Sequence, residues 1–311
     1  MNIHKGSTVS PGDQGVSSGS RSASIFQLVG SNFTSQISNA GSITNGIDFS
    51  SSMQVDNIEN GTSGVISGAS YTGLGNDILT NSGVIESIDL GSGNDTVTNL
   101  SGGEISKDLL TGAGNDTVTN SSKLSGSTNL GSDDDTLEVI AGSVGSVDGG
   151  SGTDVLNVTN AVATAYINEN CESANSFAVL GVNGCSKEIV IENVESINIS
   201  SNKTSINGGI TSANSLLVNS GSYLHLNAVQ NNQFSKVQVN QLNNMGTLYL
   251  NSDINGAIDN IGNSVLVLNE KDNKNREVTT FTATITSSGV PSIQSGFYND
   301  NGVKPPFLCQ V

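Results

Sequence analysis

GLGNDILTN at 73–81, GSGNDTVTN at 91–99 and GAGNDTVTN at 112–120 are one phrase written three times, and two looser copies follow, GSDDDTLEV at 131–139 and GSGTDVLNV at 150–158. The aspartates of these phrases, Asp77, Asp95, Asp116, Asp135 and Asp154, are separated by 18, 21, 19 and 19 residues. An apolar series keeps the same step: Ile43, Ile66, Ile85, Ile105, Leu124 and Val144, with gaps of 23, 19, 20, 19 and 20.

A fixed period near 20, with β-branched residues on short strands and glycines between them, predicts a solenoid in which every coil adds one rung to stacked parallel sheets. Each coil accommodates two or three strands, for example 96–99, 104–106 and 108–110, with bends at Gly91, Gly93, Gly102 and Gly103 where a positive φ costs little. A helical reading fails because the apolar spacing is not 3.6 and Ser, Thr, Asn and Gly crowd the intervals. The expected fold is therefore all-β, a single-stranded right-handed parallel β-helix with coils of about 19–20 residues, the hand following from the crossover rule.

Composition agrees with one repetitive domain. Charged residues make up 13% of the 311, against the ~25% usual for globular proteins. Glycine is abundant at 37, tryptophan is absent, and only 4 prolines occur. Disordered chains are rich in charge or proline and poor in regularly placed Val, Ile and Leu, so order is expected. The core should be a thin column of a few Val, Ile and Leu per coil, with Asn, Ser and Thr in ladders outside or at the bends. A net charge of −17 opposes binding to nucleic acid or to anionic membranes. No run of eighteen apolar residues is present, so no transmembrane helix is expected.

Three regions are expected. Residues 1–24 are Ser/Gly-rich and aperiodic, a disordered or capping segment; 25–285 carry the β-helix, with a loop insertion near 161–187; 286–311 read as a frayed tail. The rungs resume after the insertion with EIVIENVESINIS at 188–200, and later strands alternate strictly, so that Leu226, Leu250 and Leu268 fall one coil apart.

The phrases GSGNDTVTN at 91–99, LTNSGVIESIDLGSG at 79–93, IENVESINI at 191–199 and GTLYLNSDI at 246–254 resemble passenger segments of Gram-negative autotransporters. The resemblance spans about 38–270. It implies a β-helix at the cell surface or in the extracellular space of a Gram-negative bacterium, acting without enzymatic activity in adhesion or self-association. Its partners would be a host cell-surface molecule or sister copies. Residues 1–25 lack the apolar stretch of a signal peptide, and no series of amphipathic barrel strands follows 285, so any export signal is expected outside this sequence.

Two features could carry chemistry. GGSGTDVLN at 149–157 fits every fixed position of the calcium nonapeptide G-G-x-G-x-D-x-U-x, and the copies at 72–80, 90–98 and 111–119 lack only the first glycine. Calcium is the one cofactor the sequence brings forward, held by a ladder of Asp77, Asp95, Asp116, Asp135 and Asp154. Against it, the intervening half-coils such as NLSGGEISKDLL carry no second nonapeptide. Carboxylates one strand apart repel by roughly 1 to 3 kcal/mol per neighbour, so something must offset them. Calcium would do so, and so would an Asx turn in which each carboxylate accepts N–H groups from its own glycine-rich bend. Both remain open on the sequence.

Cys171 and Cys185 bracket CESANSFAVLGVNGC inside the one long break in the repeat, and in an oxidising setting they are expected to pair and close a protruding loop. Cys309 is left over. His4 and His225 are the only histidines, and no nucleophile motif accompanies His225, which reads as an exposed strand residue. A β-helical polysaccharide lyase would need a base to neutralise a uronate, but the only arginines are Arg21 and Arg276, near the ends. A glycosidase needs only two suitably spaced carboxylates among the 28 acids. The alternatives to an adhesin are thus a carbohydrate-active β-helix and a calcium-binding β-roll.

Overall fold

A computed structural model describes residues 35–159 and, with short gaps, 189–268, together with strand segments at 2–3, 8–9, 179–180, 284–289 and 292–295. The fold is all-β, with parallel strands stacked as a β-solenoid of about nine turns and about 20 residues per turn. The described chain divides into two compact units, Met1–Glu138 with Asp148–Gly152, and Val139–Val147 with Thr153–Val311.

In the first unit the coils feed three parallel ladders, with three short strands in the coils that start at Thr96 and Thr117 and two strands in the coils before them. One ladder stacks Gln36–Asn39, Asn57–Asn60, Ile78–Asn81, Thr96–Asn99 and Thr117–Asn120 in strict parallel register. Its inward positions, Ile37, Ile58, Leu79, Val97 and Val118, are at most 2% exposed. The second ladder joins Ile43, Ile66, Ile85, Ile105 and Leu124, each the partner of the next, as the apolar period predicts. The third pairs Ile88 with Leu109 and Leu109 with Thr128. Alternation does the sorting: on strands with a period of two, every second residue meets the column, and each buried aliphatic there contributes about 1.5–3 kcal/mol. Segments Asn2–Ile3 and Thr8–Val9 pair in parallel with Ser38–Asn39 and Ser42–Ile43.

The second unit repeats the plan with longer strands. Val155–Val158 pairs with Ser196–Ile199, which pairs with Ser215 to Val218 of the strand Gly208–Val218. Leu226 stacks on Leu250 and Leu250 on Leu268, the alternation read from the sequence. Rungs at Thr284–Gly289 and Ser292–Ser295 pair with Asp253–Gly262 and Val265–Leu268. Among the described residues a short antiparallel pair, Val229–Gln230 with Gln233–Phe234, is the exception to parallel pairing.

Candidate functional site

The repeated aspartates do not sit at the rim of their bends. Asp56, Asp77, Asp95, Asp116, Asp135 and Asp154 are all between 0 and 2% exposed, with their side chains turned into the coil. Nor do Asp56, Asp77, Asp95 and Asp116 form Asx turns. In the first unit each Oδ1 accepts the amide N–H of the equivalent residue one coil earlier: Ser35 to Asp56 at 3.0 Å, Asp56 to Asp77 at 2.7 Å, Asp77 to Asp95 at 2.6 Å, Asp95 to Asp116 at 2.7 Å and Asp116 to Asp135 at 2.7 Å. The carboxyl group therefore fastens one coil to the next rather than closing its own turn. In the second unit the amide of Asp154 donates to Oε2 of Glu195 at 2.7 Å, so a glutamate takes the role there.

The second oxygen is treated differently. Oδ2 of Asp56, Asp77, Asp95 and Asp116 is buried and no protein donor reaches it. Burial pushes the Asp77, Asp95 and Asp116 carboxyls up from the ordinary range, Asp95 to about 7, with the neighbouring carboxylates adding to the effect at Asp95. Amide donors to Oδ1 act the other way and are outweighed.

A parallel ladder of asparagines lies four residues on. Asn39, Asn60, Asn81, Asn99 and Asn120 are at most 1% exposed. Each Nδ2 donates to Oδ1 of the next, at 2.8, 2.9, 2.9 and 2.8 Å, while Oδ1 of Asn39 and Asn81 also accepts from the bend amides of Gly41 and Gly83. An expectation is corrected here: these asparagines line the interior, because a primary amide can donate and accept along the stacking axis and so satisfy itself without water.

The glycines of the phrase are also structural. Gly91, Gly112 and Gly131 have φ of 92°, 108° and 106°, and a β-carbon on any of them would stand 1.8–2.1 Å from the carbonyl oxygen of the glycine one coil below. Gly75, Gly93 and Gly114 form a second such row, which Asp133 interrupts with φ 82°. The glycines at the second and fourth positions of the nonapeptide and its aspartate thus have a use in stacking, glycine for close approach and aspartate as an acceptor. Among the described residues no group of three or more His, Cys, Asp or Glu is arranged to hold a metal ion.

On the outside, the first ladder presents two ranks. Ile78, Thr96 and Thr117 are exposed and in register; Thr80, Thr98 and Thr119 are half-buried beside them. Beyond the bends an exposed ladder runs in the opposite sense to the aspartates, Asn94 N–H to Asn76 Oδ1 at 2.9 Å and Asn115 N–H to Asn94 Oδ1 at 3.0 Å.

His225 is half-buried rather than exposed, between buried Leu224 and Leu226, with the Tyr249 ring edge-on at 6.3 Å and Tyr249 in turn 5.0 Å from Tyr223. Desolvation pushes its pKa down to about 4, so the ring is neutral near pH 7. Cys171, Cys185 and Cys309 lie outside the described residues, as do His4, Arg21 and Arg276.

Asp56, Glu195 and the asparagine ladder escaped the sequence reading. Asn39, Asn60, Asn81, Asn99 and Asn120 keep the period of the aspartates, which was a usable signal; Asp56 sits in SMQVDNIEN, outside any glycine phrase.

Comparison with known proteins gives no match to a protein-family model, a curated protein or a solved structure.

Proposed function

We propose that the chain is a non-enzymatic passenger-type β-solenoid, displayed on or secreted by a Gram-negative bacterium, that acts in adhesion or self-association through one lateral face. The observation that supports this reading is the uncharged, hydroxyl-rich pair of ranks formed by Ile78, Thr96 and Thr117 with Thr80, Thr98 and Thr119. Such positions repeat at about 4.8 Å between strands and about 6.6 Å along them. A regular array of weak contacts suits multivalent engagement of a host cell-surface molecule or a sister copy better than turnover of a small substrate.

The test is to display the chain on a non-adherent bacterium and compare it with the double variant Thr96→Lys, Thr117→Lys, whose changes point to solvent. The expected outcome is a several-fold loss of host-cell attachment or of clumping with unchanged display. Equal attachment by both forms overturns the assignment to this face. Hydrolysis of a polysaccharide by the purified chain, abolished by one Asp→Asn change, replaces the adhesin with the carbohydrate-active reading.

A further inference from the structure

We propose that Asn45–Gly46 is a site of spontaneous covalent modification, at which the bend converts itself with water into an aspartyl or isoaspartyl form and loosens the coil stacked on it.

The first unit contains two Asn–Gly pairs, Asn45–Gly46 and Asn60–Gly61. Both have the sequence the reaction needs, an asparagine amide followed by a nitrogen that no neighbouring side chain crowds. The fold treats them in opposite ways. Asn60 belongs to the buried ladder: its Oδ1 accepts from Asn39 Nδ2 at 2.8 Å, its Nδ2 donates to Asn81 Oδ1 at 2.9 Å, and the Gly61 N–H donates to Asn39 O at 2.8 Å. Electrophile and nucleophile are both engaged there, and only an opening of the coils frees them.

Asn45 is exposed, and neither its side chain nor the Gly46 N–H has a hydrogen-bond partner among the described residues. The bend is nevertheless set between fixed points. Ile43 and Ile47 on either side are fully buried; the Ile47 N–H donates to Ser70 Oγ at 3.2 Å and its carbonyl accepts from the Tyr71 N–H at 2.8 Å. Asn45 itself holds a left-handed backbone, φ 71°, which an L-residue adopts at a cost. The peptide plane between Asn45 and Gly46 can therefore turn without breaking a hydrogen bond, and turning relieves Asn45 of an unfavourable conformation.

The chemistry closes with water as the one co-reactant. The Gly46 nitrogen forms a bond to Asn45 Cγ, the Cγ–Nδ2 bond breaks, and ammonia leaves with the proton of the Gly46 amide. Water then adds to one of the two imide carbonyls. Opening of the Cγ–N bond gives aspartate; opening of the bond to the Asn45 main-chain carbonyl gives isoaspartate, whose chain runs through Cγ and is one methylene longer. Neither product returns to the amide, so the extent of conversion records the time since folding.

The coil above has no room for that methylene. A β-carbon on Gly68 would stand 2.7 Å from the Asn45 carbonyl carbon, and one on Gly46 would stand 1.8 Å from Ala69 O. The two bends touch backbone to backbone, so a longer chain at residue 45 separates them.

The test is to hold the full folded chain in neutral buffer at physiological temperature and cleave samples with a glutamate-specific protease, which cuts after Glu59 and puts the two asparagines on different peptides. Amide-to-acid conversion should accumulate at residue 45, with isoaspartate among the products on fragmentation, while residue 60 stays intact; in urea both should convert at similar rates. An Asn45 that survives as long as Asn60 in the folded chain, or equal conversion of the two, overturns the proposal. Amide hydrogen exchange reads the consequence: protection at Ile47 and Ala69 should fall several-fold in the converted sample. Asn45→Gly, which suits the left-handed bend and has no amide to lose, should keep its protection over the same time. Unchanged protection in a converted sample, or the same decline in Asn45→Gly, overturns the loosening.

Discussion

A β-carbon placed on Gly93 would stand 1.6 Å from the carbonyl oxygen of Gly75, one coil below. No side chain can be that close to backbone, so the two coils approach each other only because residue 93 is glycine. Gly102 also has a positive φ, 90°, yet its added β-carbon would meet nothing nearer than Ser82 O at 3.7 Å. The two sites separate the causes that make glycine necessary, conformation at one and contact plus conformation at the other.

Gly102→Ala is therefore expected to cost about 1–2 kcal/mol, the penalty of an L-residue in the left-handed region. Gly93→Ala should cost clearly more, since the stack must open to admit the methyl group. Urea unfolding of the two variants checks the order. Equal losses would mean that the close approach of Gly75 and Gly93 places no demand on the sequence.

Asp133 occupies the position that Gly75, Gly93, Gly114 and Gly152 hold in the other phrases, with φ 82° and an exposed side chain. It also lends its negative charge to the buried Asp116 next to it. Asp133→Gly relieves both the left-handed backbone and the repulsion, against a smaller loss from the added freedom of glycine in the unfolded chain. A gain of about 0.5–1 kcal/mol is expected by denaturant unfolding, and a destabilised variant would show that the Asp133 side chain has a favourable role.

Asn81 and Asn76 use the same chemistry in different surroundings. Asn81 is fully buried, accepts from Asn60 and Gly83 and donates to Asn99, whereas Asn76 accepts from the Asn94 amide on the exposed side of the bend. Asn81→Ala strands buried donors and an acceptor and should cost about 2–4 kcal/mol. Asn76→Ala exposes its partner to water and should cost less than about 1 kcal/mol. Thermal unfolding of both variants distinguishes a ladder that holds the coils from one that merely decorates them.

These three comparisons mark where the sequence was readable. The series Ile43, Ile66, Ile85, Ile105 and Leu124 could be assigned to one ladder because β-branched and aliphatic residues at a constant step have only one common use, a column of core. Leu226, Leu250 and Leu268 were legible for the same reason. The direction of the polar residues was not. Aspartate and asparagine beside glycine look alike whether they close a bend or turn inward, and only the stacked backbone, whose amides point along the ladder axis, decides that Asp77 and Asn81 face the interior. Glu195 shows the same limit: it serves the Asp154 amide although it shares no phrase with the repeated aspartates.

The last prediction sets the two units against each other. In the first, the raised titrations of Asp77, Asp95 and Asp116 mean that the folded coils hold protons which the unfolded chain has already lost, so stability falls as pH rises through the window that ends, for Asp95, at about 7. In the second, burial lowers His225 from 6.5 to about 4, so the unfolded chain binds a proton first and stability falls as pH drops through that window. Each group changes the local opening free energy by about 1.4 kcal/mol per pH unit inside its window. Amide hydrogen exchange, corrected for the intrinsic rate, should therefore show protection around Val97 and Val118 decreasing from about pH 5 to 8 while protection around Leu224 and Leu226 increases. A common slope in both units would mean that neither the aspartate ladder nor His225 governs the response to pH. Asp95→Asn should flatten the first trend and leave the second, and His225→Phe should do the converse, because each substitution removes one titration and keeps a side chain of comparable shape in place.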